Sequence, residues 1–200
     1  GDYLTVDDVQ TMFHEFGHAL HGLLSECNYA SVSGTGGTSD YNEIFSQINE
    51  HWALQPELLA QYAIDERTGK TIPPELVKKI VDSLKFNQPM KVAQLCASSV
   101  LDLRLHELTS MEGVDVAKFE EKVLREEGFP SVVVPRHRTT YFKHIFNHGY
   151  HAGYYTYIWA EVMDCDLFSA FEQQGVWNRE LAKKFFETFL TRGGSQDPMK

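Results

Sequence analysis

The chain has 200 residues, 42% hydrophobic, 12% aromatic and 23% charged, enough apolar material for a sizeable core and close to the globular average. Its formal net charge of −10 argues against nucleic acid or an anionic membrane as partner, because both are bound through excess Lys and Arg. Cys27, Cys96 and Cys165 lie far apart with no C-x-x-C spacing, which suggests neither a disulfide framework nor a thiolate zinc site.

That cysteine usage makes a reducing, cytoplasmic setting the expectation. No run approaches the roughly 18 apolar residues of a membrane span. The first residues, GDYLTVDDV, are acidic where a signal peptide is basic and then apolar. The chain starts without Met, so the native N-terminus is expected elsewhere, and a secreted or periplasmic parent stays compatible with the sequence.

Thr5 and Asp8 form a T-x-x-D helix start, and Val9, Met12, Phe13, Phe16, Leu20 and Leu23 then recur at helical spacing, predicting a helix over about 6 to 26. Residues 27 to 40, CNYASVSGTGGTSD, have loop composition. A second helix is predicted over 41 to 54, a third from Pro56 to near Gly69, and a fourth after Pro73 and Pro74. Further helices are predicted over 90 to 108, 115 to 126, 150 to 173 and 178 to 191. Residues 128 to 135 form a short strand or an extended loop. The mixed-charge segment from Glu120 to Glu127 reads as a solvated face. With no repeat and no linker, the expectation is a mainly α chain forming a single unit over 1–200.

The first helix carries the motif HEFGH. Residues i and i+4 stand one above the other on a helix, so His14 and His18 can offer imidazole nitrogens to one ion, with Glu15 beside them. A catalytic zinc takes three protein ligands and keeps one position for water. The HExxHxxGxxH solution would need Gly at 21 and His at 24, where this chain has His21 and Leu24. The other solution takes a carboxylate from a following helix, and Glu43, 25 residues after His18, supplies it. Glu43, Gln47 and Glu50 share one face of the second helix, which lets Glu50 hydrogen-bond a ligand histidine from behind. His21 shares a face with His14, but a fourth protein ligand would close the site, so it is expected behind the ligands or simply packed.

The segment Ser33-Gly-Thr-Gly-Gly-Thr38 has no phosphate-binding pattern. It reads as a mobile loop whose backbone, at Gly34 in particular, can bind extended peptide. Tyr150, Tyr154, Tyr157 and Glu161 fall at i, i+4, i+7 and i+11, a stripe that is either core or a set of phenolic donors. His144, His148 and His151 at i, i+4 and i+7 could form a second metal site. Gly149 and the lack of a nearby carboxylate weigh against it.

HEFGHALH, the SGT at 33 to 35, the E-x-x-SQ at 43 to 47, and HIF followed by GYHAGYYTYIWAEV together resemble the thimet oligopeptidase and neurolysin family of zinc oligopeptidases, in its bacterial peptidyl-dipeptidase and oligopeptidase A branch. The resemblance implies a zincin-like helical catalytic subdomain, one Zn²⁺ per chain and short peptides as substrates. It implies His14, His18 and Glu43 as zinc ligands and Glu15 as the general base. His144, Tyr150 and Tyr157 match residues of substrate and transition-state binding, and Tyr154 a further substrate-contacting tyrosine. Around the third ligand this chain has Ser39-Asp-Tyr-Asn-Glu43-Ile-Phe45 instead of the family's Arg-Asp-Phe-Val-Glu-x-Pro, and His148 replaces a glycine of HIF-x-G-G-Y. Family members are several times longer, so the chain is expected to be the C-terminal part of the catalytic domain, with the remaining N-terminal portion as its partner. A zinc carboxypeptidase and a non-catalytic zinc or peptide-binding fragment are the alternatives.

Overall fold

At the first helical start the Asp8 amide donates to the Thr5 hydroxyl at 3.1 Å and the Thr5 amide donates to Asp8 Oδ2 at 2.8 Å. This reciprocal cap satisfies donors that a helix start otherwise leaves without partners. It launches α1, Val6–Leu23, in a computed structural model that describes residues 3–147 and 149–197.

Only the 3₁₀ turn Ala30–Val32 interrupts the loop before α2, Ser39–Ala53. Then come α3, Pro56–Tyr62, and α4, Pro74–Lys85. α3 ends seven residues before Gly69 because the chain turns back on itself there. Gly69 takes a positive φ of 67°, its amide donates to Asp65 O at 2.8 Å, and Ile64 bridges Thr71.

Next are α5, Gln88–His106, and α6, Val116–Glu126, the latter capped by Asp115. Residues 128 to 135 are turns and extended chain, and no strand occurs among the described residues. Glu120 is buried, not solvated: it accepts from the Thr139 amide and hydroxyl at 2.8 and 2.9 Å and pairs with Arg138. The sequence pattern hides this because the partners lie in a distant segment.

The short α7, His144–Asn147, precedes α8, Thr156–Gln174. α8 starts six residues later than periodicity predicts. Gly149 and Ala152 have φ of 81° and 53°, conformations a helix cannot include. The last helix, α9, Arg179–Phe185, continues as a π-helical turn, Phe186–Leu190. The chain is thus mainly α.

The contacts divide into two compact units, Gly1–Leu84 with Ala160–Lys200, and Lys85–Trp159. No Gly, Pro or Ser linker marks the division, since one boundary falls inside α8. In the first unit Ile48 of α2 packs with Phe168 and Phe171 of α8, each buried side chain contributing about 1.5–3 kcal/mol. In the second, Leu95 and Leu105 of α5 pack with Phe142, Ile145 and Tyr154.

Candidate metal centre

α1 can lie close on α2 because Gly17 has no side chain. A Cβ there would stand 2.3 Å from Phe45 O and 2.7 Å from Ser46 Cα, well inside van der Waals contact. Asn49 of α2 ties the pair by donating to Phe13 O at 2.6 Å.

This close approach brings one carboxylate oxygen to both imidazoles of the HEFGH helix. Glu43 Oε2 lies 3.2 Å from His14 Nε2 and 3.4 Å from His18 Nε2. The three donor atoms all lie within 4.8 Å of one another. Two ligands bonded at zinc's usual distances in a tetrahedral shell stand about 3.3 Å apart, so the two measured separations are those of donors around one ion.

The surroundings suit a cation as well. Glu43 is 1% exposed, and a buried carboxylate needs a compensating charge. Ser46 Oγ donates to Glu43 Oε2 at 2.7 Å, orienting the carboxylate. His18 Nδ1 is buried and has no hydrogen-bond partner among the described residues. The donor set of two nitrogens and one oxygen fits a divalent ion of zinc's kind.

Glu50 Oε1 lies 2.7 Å from His14 Nδ1, the contact that fixes a ligand imidazole's orientation and tautomer. Burial lowers the His14 pKa, but the hydrogen bonds its ring donates to the Glu43 and Glu50 carboxylates, with their charges, outweigh it and raise the value to about 9. An ion taken up here must therefore displace a proton from His14. Glu15 is exposed on α1 beside the ligands.

His21 is fully buried, its ring 3.9 Å from that of Phe45, with neither ring nitrogen hydrogen-bonded among the described residues. It stands outside the group of three donors. Gly34 is buried at a positive φ of 52°, and its amide donates to Ser25 Oγ at 3.0 Å. Of that segment Thr35, Gly36 and Thr38 are exposed.

In the second unit His144, Tyr150 and Tyr157 are half-buried, and Tyr154 is 2% exposed in the core. Tyr150 stacks on Tyr157 with centroids 5.5 Å apart, and Tyr157 meets Tyr154 at 5.1 Å. His144 lies 6.4 Å from Tyr150 and 5.8 Å from Tyr154. His148, needed for the alternative three-histidine site, lies outside the described residues.

Sequence reasoning missed the group that shapes this segment. Asp102, fully buried on α5, accepts from the Ala152 amide through Oδ1 and the Tyr154 amide through Oδ2, both at 2.8 Å. Its signal was a lone acid inside the apolar run LCASSVLDL, which helical periodicity alone does not flag.

The model of peptidase family M3 matches residues 2–200. The chain is 42% identical over 193 residues to dipeptidyl carboxypeptidase of Escherichia coli K12, covering 96% of this chain and 28% of that protein. It is 38% identical over 201 residues to oligopeptidase A of the same organism, covering 98% and 29%. To mitochondrial intermediate peptidase of Eremothecium gossypii it is 30% identical over 197 residues, covering 97% and 24%. The chain therefore spans under a third of the length of these curated relatives.

Proposed function

We propose that this chain, which belongs to peptidase family M3, is the zinc-binding C-terminal portion of the catalytic domain of a longer enzyme that hydrolyses peptide bonds in short peptides. The observation that carries this reading is the convergence of His14 Nε2 and His18 Nε2 on Glu43 Oε2 at 3.2 and 3.4 Å.

His14, His18 and Glu43 hold one Zn²⁺, and Glu50 keeps the His14 ring turned toward it. Bound there, the ion would supply Lewis acidity toward a carbonyl oxygen and a water molecule. Glu15 accepts a proton on its carboxylate as water adds to the carbonyl carbon, then gives it to the leaving amine nitrogen. His144, Tyr150 and Tyr157 donate hydrogen bonds to the substrate and to the carbonyl oxygen as it gains charge; Tyr154 and the loop around Gly34 help bind the peptide. The support for these residues is the family pattern they match.

Met12 and Phe16 flank Glu15 and are exposed. A further portion of the same protein covers them in this reading and completes the substrate-binding surface. The names of the relatives, dipeptidyl carboxypeptidase and oligopeptidase A, support an oligopeptidase or a peptidyl-dipeptidase activity.

The test is hydrolysis of an internally quenched peptide by the full-length parent, with products identified by mass. Release of C-terminal dipeptides marks a peptidyl-dipeptidase and internal fragments mark an oligopeptidase. Release of single residues would point to a carboxypeptidase, and no cleavage by zinc-loaded parent would sink the enzymatic reading.

A further inference from the structure

Eight residues beyond Glu43 on α2, a second set of ligand-type side chains converges within the first unit. His51 of α2 meets Asp164 and Cys165 of α8, and the three donor atoms lie within 4.8 Å of one another. His51 Nε2 stands 3.3 Å from Asp164 Oδ1, the same spacing as between the donors of the first cluster. The His51 ring is held by stacking on Phe168, with centroids 4.3 Å apart and planes 10° apart. Asp164 is 3% exposed.

We propose that His51, Asp164 and Cys165 form a second metal site, separate from His14, His18 and Glu43, that binds a divalent ion of borderline softness such as Zn²⁺ and braces α2 against α8.

The donor set selects the ion. One imidazole nitrogen, one carboxylate oxygen and one sulfur suit Zn²⁺ or Co²⁺, whereas Mg²⁺ and Ca²⁺ prefer shells of oxygen. Three protein donors leave room for water or a fourth ligand. Burial, the hydrogen bond to Asp164 and the charges of Asp164, Glu161 and Glu172 push the Cys165 thiol up to about 12, so an ion must displace a firmly held proton, while the same carboxylates attract a cation. Cys165 is exposed, which gives an ion access. On binding, the Sγ proton goes to solvent and the thiolate bonds the metal. The wide sequence separation of His51 from Asp164 and Cys165 explains why no C-x-x-C or H-x-x-x-H spacing announces the site.

Cobalt distinguishes the two sites, because the first contains only nitrogen and oxygen donors. Titrating the metal-free chain with Co²⁺ is expected to produce a near-ultraviolet sulfur-to-cobalt charge-transfer band that saturates with one equivalent. The band should vanish in Cys165→Ser and weaken in His51→Ala, with far-ultraviolet circular dichroism unchanged. It should survive in His14→Ala, which removes one band-free equivalent. Absence of a sulfur band at saturating Co²⁺ would overturn the proposal. A band unchanged in Cys165→Ser would also do so, by locating the sulfur at Cys27 or Cys96, and so would a band lost in His14→Ala, by placing it at the first site. If instead His14→Ala leaves the band-free equivalent intact, it is the first site that fails.

Discussion

Glu43 and Glu15, two carboxylates near one pair of histidines, differ in what surrounds them. Glu43 is buried and fixed by Ser46, whereas Glu15 is exposed on α1. In the proposed mechanism the first holds a cation and the second exchanges a proton. Glu15→Gln in the full-length parent should therefore retain its zinc and lose on the order of 100- to 10,000-fold in kcat; a variant with near-normal turnover would remove Glu15 from the mechanism. Two histidines set opposite pH limits on the metal-free fold. Burial, with the charge of His18, lowers the His21 pKa from 6.5 to about 4. Neutral His21 thus contributes its stability fully above pH 6.5, and that contribution, at most about 3 kcal/mol, is lost as pH falls toward 4. His14, raised to about 9, contributes fully below 6.5 and loses its contribution as pH rises through 9. Urea unfolding of the metal-free chain should show maximal stability near pH 6.5, with His21→Leu flattening the acid limb. An acid limb as steep in His21→Leu as in the parent chain would assign the loss to another group.

Helix pairs turn these residues into a site, and here close contact matters more than periodicity. Gly17→Ala would drive a methyl group into Phe45 O and Ser46 Cα, at a cost of about 1–3 kcal/mol, and should weaken zinc binding by separating α1 from α2. Normal stability with normal affinity would show that this contact does not set the ligand spacing. Asp102→Ala would leave the part-buried Ala152 amide and the buried Tyr154 amide without their acceptor, at about 1–3 kcal/mol for the buried one, and should speed their hydrogen exchange more than exchange in α1. Much of this level was readable in advance. Thr5 with Asp8 before α1 and the Pro73-Pro74 pair at α4 announced helix starts by local chemistry, and i, i+4 spacing put His14 and His18 on one face. What depended on distant partners was not readable. Periodicity carried α8 back to residue 150 because the hold of Asp102 on the 152–154 turn is a long-range contact. Glu120 looked solvated because Arg138 and Thr139 are far away in sequence. Gly17 stood inside the motif, yet its reason for being glycine lies on α2.

At the scale of the molecule, 200 residues align with under a third of relatives such as dipeptidyl carboxypeptidase, so metal binding and peptide turnover need not reside in the same length of chain. The proposed zinc ligands lie on α1 and α2, which share one compact unit, so zinc binding should belong to the chain as it stands. An ion that binds the folded chain alone raises its stability by about 2.7 kcal/mol at a free concentration 100 times Kd. Zinc should accordingly raise Tm, and a chelator should reverse the rise. The most direct measurement is zinc bound per chain after equilibration of the metal-free protein, determined by elemental analysis beside His14→Ala. The account predicts that the substitution lowers bound zinc by one equivalent. Equal zinc in the two proteins would contradict a centre built on His14, His18 and Glu43.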